Sequence, residues 1–189
     1  MQKRLEEYGK TLQISGFRNV HVKDAKLFSN TLKDKLPVDC DFQLFDADLV
    51  ATWEHLYFAV LNALMNLKGP LGISKSIAVE TVLYASAQRQ IRKAIEFMGL
   101  KPDSKNAAIT VVCNHEESIE AAIKAASELL GAQSDDSVLE LSEEKVNRIR
   151  KAFKISDAEL DASKSRGANK EQALVDLIVE RVALLSTRL

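Results

Sequence analysis

The sequence lacks most of the features that mark metalloproteins, hydrolases, secreted proteins and membrane proteins. Its 189 residues include only three histidines, two cysteines and three prolines. His21, His55 and His115 lie far apart, and no second histidine follows Glu54-His55 at the spacing of a zinc-binding helix. Neither a Ser-His-Asp order nor a nucleophile elbow is present. The sequence therefore predicts no catalytic residue, no metal and no cofactor.

Charge and hydropathy narrow the choice of partner and compartment. The net charge of −1 argues against a surface that coats nucleic acid, although it leaves room for one local basic site. The longest apolar run, residues 56–67, is interrupted by Asn62 and Asn66 and has about half the length of a membrane crossing. No apolar run of the secretory type opens the chain. Cys40 and Cys113 lack CxxC spacing and are interpreted as two buried structural thiols, so we expect a cytoplasmic protein without membrane contact.

Hydrophobic periodicity and capping residues predict strands alternating with helices. Strands are expected near residues 13–20, 42–45 and 108–113, and helices after Asp24, over 48–68, over 114–130, after Ser142 and from 170 to about 185. The segment 77–87 is ambiguous, because its alanines favour a helix while residues 81–84 are mostly strand formers. We predict a short strand there, followed by a helix from Ala87 to Met98. This pattern alone does not choose between a parallel and an antiparallel sheet.

Residues 69–76, GPLGISKS, look at first like a phosphate-binding P-loop. A P-loop requires a glycine just before the lysine, and here Ser74 precedes Lys75, so nucleotide hydrolysis is not predicted. Two interpretations stay open for Ser74, Lys75 and Ser76. They form either a helix start whose N–H groups bind an anion or a polar turn with a solvated lysine.

A second polar cluster, Gln88, Arg89 and Gln90, follows Ser86 at the start of the next predicted helix. Its forked donors could hold a phosphate or the edge of a base, or the cluster could be a first turn that simply faces solvent. The two clusters would be stronger evidence for a binding site if the fold placed them next to each other.

The last helix, from 170 to about 185, carries apolar residues on nearly all its faces. It is either a core helix or one that presents Val175, Ile178, Val179 and Val182 to another protein. The helix at 48–68 is also apolar over more than half its surface, so we expect it to lie centrally or under a partner.

The region from residue 46 to residue 100 resembles a known protein family. The resemblance rests on Glu54-His55-Leu56, Ser74-Lys75-Ser76, Leu83-Tyr84-Ala85-Ser86, Arg89-Gln90-Ile91 and Gly99-Leu100, in this order and spacing. These segments resemble the small subunit of the KEOPS complex, the family that includes the PRPK-binding protein, in its archaeal form. With Ile14 near its beginning and LIVERVALL near its end, the resemblance covers almost the whole chain.

The resemblance implies an α+β fold in which a small, largely antiparallel sheet of about four strands is surrounded by helices. We expect one domain over residues 1–189, with a flexible N-terminus at about 1–10 and a helical C-terminal part at about 142–189. The implied function is that of a non-catalytic accessory subunit. It would bind and stimulate the kinase-like ATPase of KEOPS and help to recruit the 3′ end of tRNA for threonylcarbamoyl-adenosine modification. Its association with the threonylcarbamoyl-transferring subunit would be indirect.

The residues assigned to these functions come from the clusters above. The predicted RNA-binding residues are Ser74, Lys75, Ser76, Gln88, Arg89, Gln90 and His55, and the predicted kinase-binding residues are Val175, Ile178, Val179 and Val182. Two other functions stay open. A small enzyme or binding protein for a phosphorylated metabolite would be stabilised by nucleotides or sugar phosphates. A purely structural adaptor would keep its tRNA affinity unchanged after any substitution in the polar clusters.

Overall fold

The computed structural model describes residues 1–67, 69, 72–164 and 169–187. Four strands and eight α-helices are assigned within these residues. The strands are β1 (Gln2–Leu5), β2 (Lys10–Arg18), β3 (Cys40–Asp46) and β4 (Asn106–Cys113). The helices are α1 (Ala25–Lys35), α2 (Trp53–Asn66), α3 (Ile77–Ser86), α4 (Ile91–Met98), α5 (Glu117–Leu130), α6 (Glu143–Phe153), α7 (Asp157–Lys164) and α8 (Lys170–Leu184). Short 3₁₀ helices at Glu6–Tyr8, Ala47–Leu49, Asp136–Leu139 and Leu185–Thr187 join or extend them.

The strands form one antiparallel sheet in the order β1-β2-β4-β3. The central strand β4 is buried on both faces, and its side chains alternate between two hydrophobic cores. Ile109 and Val111 point to one core with α1 and α5, whereas Ala108 and Val112 point to the other with α2, α3, α6 and α8. The predicted α+β fold with a helical C-terminal part is therefore confirmed.

Several predicted elements are present with shifted ends. Asp24 caps α1 by accepting hydrogen bonds from the Lys26 and Leu27 amides, and Ser142 caps α6 by accepting from the Lys145 amide. The helix predicted over 48–68 is α2, which begins at Trp53 because a 3₁₀ turn occupies residues 47–49. Its predicted end at residue 68 lies outside the described residues. None of the described helices is long and apolar enough to cross a membrane.

Two predictions about local structure are wrong. The N-terminus is not flexible at residues 2–5, because β1 pairs with β2 and its Leu5 is buried in the core. Residues 81–84 are not a strand, because α3 runs through them from Ile77 to Ser86. Burial on all sides in the helical layer overrides the strand propensity of these residues. The sheet still has four strands, since β1 takes the place of the strand that was predicted at 81–84.

The two cysteines also differ from the prediction of buried free thiols. Cys40 and Cys113 are direct cross-strand partners in β3 and β4, and they form a disulfide. The sequence does not reveal this pairing, because the residues are 73 positions apart and become neighbours only through the antiparallel register.

Removal of this disulfide is expected to destabilise the fold. Replacing both Cys40 and Cys113 by serine should lower the free energy of unfolding by roughly 2 to 4 kcal/mol, because a long loop of the unfolded chain is no longer closed. Urea unfolding with and without a reductant measures the effect. The reductant should shift the midpoint of the wild-type protein and leave the double variant unchanged. A wild-type midpoint that is insensitive to the reductant would contradict the prediction.

Candidate functional site

The two predicted polar clusters flank helix α3. Ser74, Lys75 and Ser76 precede its first turn, and Gln88, Arg89 and Gln90 follow its last turn. A ten-residue helix is about 15 Å long, so the backbones of the two clusters do not meet in one anion site. Any ligand that contacts both clusters must extend along α3.

The first cluster is folded around a buried carboxylate. Glu80 is fully buried in the first turn of α3, and its Oε1 accepts hydrogen bonds from the amides of Ile73 and Ser74. Within the described part of the chain, its Oε2 is buried without a hydrogen-bond partner. The Glu80 carboxylate therefore already occupies the backbone donors that an external anion would need.

The other amides of this loop are also satisfied locally. The Ser76 amide donates to Ser74 Oγ, and Ser76 Oγ caps α3 by accepting from the Val79 amide. The expectation of free N–H groups at the Ser74, Lys75 and Ser76 turn is therefore wrong for Ser74 and Ser76. The exposed side chain of Lys75 is the group in this turn that can reach a ligand's phosphate.

The second cluster follows a left-handed cap. Ala87 has a φ of 50°, its amide donates to the Tyr84 carbonyl, and the Gln88 amide donates to the Leu83 carbonyl. Ser86 is therefore the last residue of α3, not the cap of a following helix. Arg89 and Gln90 are exposed just before α4, and Gln88 is half-buried.

Tyr84 links the two clusters electrostatically. The pKa of its buried hydroxyl is raised, mainly by burial and then by the negative charge of Glu80, while the positive charge of Arg89 opposes this rise. The Tyr84 hydroxyl therefore responds both to the Glu80 carboxylate beneath the first cluster and to the guanidinium of the second.

His55 is not available to RNA, contrary to the prediction. It is fully buried; its Nδ1 accepts a hydrogen bond from the Ala51 amide at 3.2 Å, and its Nε2 lies 2.8 Å from the Ala85 carbonyl. A carbonyl only accepts, so the ring is a neutral imidazole that carries its proton on Nε2. Burial lowers the pKa of His55 to about 4. Its role is to join the start of α2 to the end of α3.

The predicted kinase-binding residues of α8 also face inward. Val175, Ile178 and Val182 are buried in the hydrophobic core, and Val179 is half-buried. The expectation that they lie on an exposed face is wrong for the three buried residues, because their spacing places them on the side of α8 that packs against α2 and α3. The outward side of α8 carries Asp176 and Glu180.

An exposed apolar surface is present on α2 instead. Five side chains lie within an arc of about 140° at helical spacing, opposite the buried residues of the helix. They are Trp53, Tyr57, Phe58, Leu61 and Met65, and we call them the outer face of α2. Trp53, Phe58 and Met65 are exposed, and Trp53 and Phe58 each make an edge-to-face contact with Tyr57. Three aromatic rings at the surface of one helix are typical of a contact surface for another protein.

Some of these features are visible in the sequence and others are not. The apolar residues over more than half the surface of α2 are the signal for the outer face. The role of Glu80 was not predicted, although a glutamate inside the apolar segment around residues 77–85 is unusual for a buried helix. In residues 1–67, 69, 72–164 and 169–187, no group of three or more His, Cys, Asp or Glu side chains could hold a metal ion.

Comparison with known proteins identifies the family. A family model described as "Kinase binding protein CGI-121" matches residues 17–186. The chain is also 33% identical over 175 residues to the "Regulatory protein Cgi121" of Methanocaldococcus jannaschii, a match that covers 93% of this chain and 97% of that protein. The names describe binding and regulation, which supports a non-enzymatic role. The resemblance found in the sequence is confirmed, and the chain belongs to the CGI-121 family of kinase binding proteins.

Proposed function

We propose that this chain is the regulatory subunit of a KEOPS complex. In this proposal it binds and stimulates the kinase-like ATPase subunit, helps to recruit the 3′ end of tRNA for threonylcarbamoyl-adenosine modification, and associates only indirectly with the threonylcarbamoyl-transferring subunit. Membership in a kinase-binding family supports the first partner. The observation that carries the proposal is the outer face of α2, where Trp53, Phe58 and Met65 are exposed although the Lys3 ammonium lies 4.7 Å from the centroid of the Tyr57 ring.

The outer face of α2 has the composition of a binding hot spot. Interface energy is concentrated in a few large side chains, among which Trp and Tyr are enriched, and apolar groups gain most when a partner removes them from water. Met65 is 65% exposed and Phe58 38%, so both retain apolar surface that a partner can bury. The kinase contact is therefore assigned to α2, and the buried residues of α8 support it from beneath.

A charge placed on this face should weaken binding to the kinase-like ATPase. Phe58→Glu and Met65→Glu should each reduce the binding free energy by about 1 to 3 kcal/mol, because a carboxylate would be desolvated in the interface. Isothermal titration calorimetry with the purified ATPase measures the loss. Leu27→Glu is the matched control, since Leu27 is 64% exposed on α1, on the opposite side of the sheet. Equal affinity of all three variants would place the kinase contact on another surface.

The RNA contact is assigned to the exposed and half-buried polar groups that flank α3. Lys75 supplies a cation before the helix, and Gln88, Arg89 and Gln90 supply donors after it. A near-neutral protein offers few phosphate contacts, so a flexible single-stranded end suits it better than a duplex, because unpaired bases can splay and adapt to separated contacts. The 3′ end of tRNA is such an end, and it would run along α3 from one cluster to the other.

Arg89→Glu should weaken tRNA binding about tenfold or more, since it removes a forked donor and adds repulsion of phosphate. It should leave binding to the kinase-like ATPase intact, because α2 carries that contact. Lys33→Glu is the control, with the same change of sign at an exposed position of α1. Filter binding compares intact tRNA with tRNA trimmed of its 3′ end. The 3′-end contact would be contradicted if the wild-type protein bound trimmed and intact tRNA equally well. It would also be contradicted if Arg89→Glu bound intact tRNA as tightly as the wild type.

A further inference from the structure

A cleft of about 540 Å³ lies between the ends of β2 and β4 and the start of α6. None of its lining residues belongs to α2 or α3, so it is separate from both surfaces assigned above. Its basic and polar lining includes Arg18, Lys105, Asn106, Ser142, Lys145 and Arg148. The start of α6 borders the cleft and adds the partial positive charge of a helix N-terminus.

Lys145 is the unusual group in this cleft. It is only 8% exposed, and its Nζ donates hydrogen bonds to the Val138 carbonyl at 2.7 Å and to the Glu140 carbonyl at 3.3 Å. An ammonium group has three donors, so one is left for a ligand. Burial lowers the pKa of Lys145 to about 8, and the group is still largely charged at neutral pH.

The carboxylates closest to this buried charge are bound to other groups. Within the described residues Lys145 forms no ion pair, and the carboxylates of Asp46 and Asp48 that favour its charged form bind other groups. Asp48 pairs with Arg148 at 2.7 Å and accepts from Asn106, while Asp46 accepts from Ser104. Buried charges in proteins are normally paired, because an unpaired one is costly to remove from water. The carboxylates near Lys145 are therefore engaged by other groups, and no described carboxylate forms an ion pair with its ammonium group.

We propose that this cleft binds the phosphoryl group of a small molecule, with Lys145 as its central donor. The cleft has the volume of a small-molecule site, and Lys145 is the most buried of its charged lining residues, so a compact oxyanion suits it better than a duplex backbone. Lys105 at the rim is exposed and makes no ion pair with any described residue, so it supplies a second cation. Asp48, Glu140 and Glu144 also line the cleft and oppose binding, although Asp48 and Glu144 are both paired with Arg148, at 2.7 Å and 3.3 Å.

The test measures binding of inorganic phosphate and of a nucleoside monophosphate by calorimetry and by thermal shift. Lys145→Met should weaken both at least about tenfold, because it removes a charge-assisted hydrogen bond. Lys105→Gln should weaken them about two- to threefold, and Glu140→Gln should strengthen them by a similar factor, because these substitutions alter exposed charges at the rim. The rim variants test the site even if Lys145→Met proves too unstable to measure. Lys33→Gln on α1 is the control and should change nothing.

A second experiment measures sulfate binding as a function of pH. Sulfate keeps the same charge across this pH range, so a change in its affinity reflects the protein. Sulfate binding by the wild-type protein should decline as the pH rises through about 8, because Lys145 loses its proton there. Saturable binding with these charge effects and this pH dependence would support the site. Absence of saturable binding, or equal binding by the rim variants and the wild type, would overturn it. Displacement of phosphate by tRNA but not by the nucleoside monophosphate would overturn the assignment to a small molecule.

Discussion

Replacement of Val182 by glutamate is expected to unfold the chain. Val182 is 1% exposed on α8 and lies in the core with Leu174, Ile178 and residues of α2 and α3. The nearest cation in sequence, Arg181, already donates to the Phe153 carbonyl and to Glu159. A glutamate at this position would be a buried charge without a partner and would not fit the space of a valine. The expected cost is roughly 5 kcal/mol or more, which equals the whole stability of many domains.

Ala183→Glu is the matched control, because Ala183 is the next residue of α8 and is exposed. It should change the free energy of unfolding by less than about 0.5 kcal/mol. Circular dichroism during urea unfolding compares the two variants. A folded Val182→Glu variant with near wild-type stability would contradict the buried position of α8. If Val182→Glu fails to bind the kinase-like ATPase, the loss would therefore result from unfolding and would not show that Val182 contacts the ATPase.

Much of the fold follows from local sequence signals. Asp24 and Ser142 predict the starts of α1 and α6, and Gly131 adopts the left-handed conformation that ends α5. The apolar run of β4 indicates a central strand. The segment 81–84 shows where such signals fail. Its residues favour a strand when taken alone, but their environment is a buried helix packed between α2 and α4. The N-terminal strand β1 was missed because three of its four residues are exposed and polar.

The candidate site was harder to predict, because its main features depend on distant residues. The turn at Ser74, Lys75 and Ser76 could have offered free N–H donors. In the structure the Glu80 carboxylate accepts a hydrogen bond from the Ser74 amide. Three valines and an isoleucine on α8 were predicted to form an exposed apolar surface, but packing against α2 and α3 buries Val175, Ile178 and Val182. Lys145 gives no signal in the sequence, since its burial results from the convergence of β2, β4 and α6. Composition alone does not predict which charged side chains become buried in the fold.

His55 is expected to produce a large and pH-dependent effect on stability. His55→Ala leaves the buried Ala51 amide and Ala85 carbonyl without their partners and opens a cavity beside Phe153, whose ring centroid is 5.9 Å from that of the imidazole. The combined cost at pH 7 should be roughly 4 kcal/mol, because each unsatisfied buried group and the cavity contribute. Equilibrium unfolding in urea measures this difference.

The pH dependence follows from the neutral state of the ring. The pKa of His55 is lowered from 6.5 to about 4 by burial, so protonation favours the unfolded chain. Above pH 6.5 the ring is neutral in both states and stability does not depend on it. Between pH 6.5 and 4 the unfolded chain binds the proton first, and the wild-type protein should lose roughly 3 kcal/mol of stability that His55→Ala does not lose.

The cost of His55→Ala should therefore shrink from roughly 4 kcal/mol at pH 7 to about 1 kcal/mol near pH 4. His21→Gln serves as the control, because His21 is exposed and its Nδ1 lies 2.7 Å from the carbonyl of its neighbour Val20. This control should retain the wild-type dependence on pH. A cost of His55→Ala that stays constant between pH 7 and pH 4 would mean that the imidazole is accessible to protons in the folded protein. Its assignment as a buried join between α2 and α3 would then be wrong, and a direct contact with RNA would again be open to it.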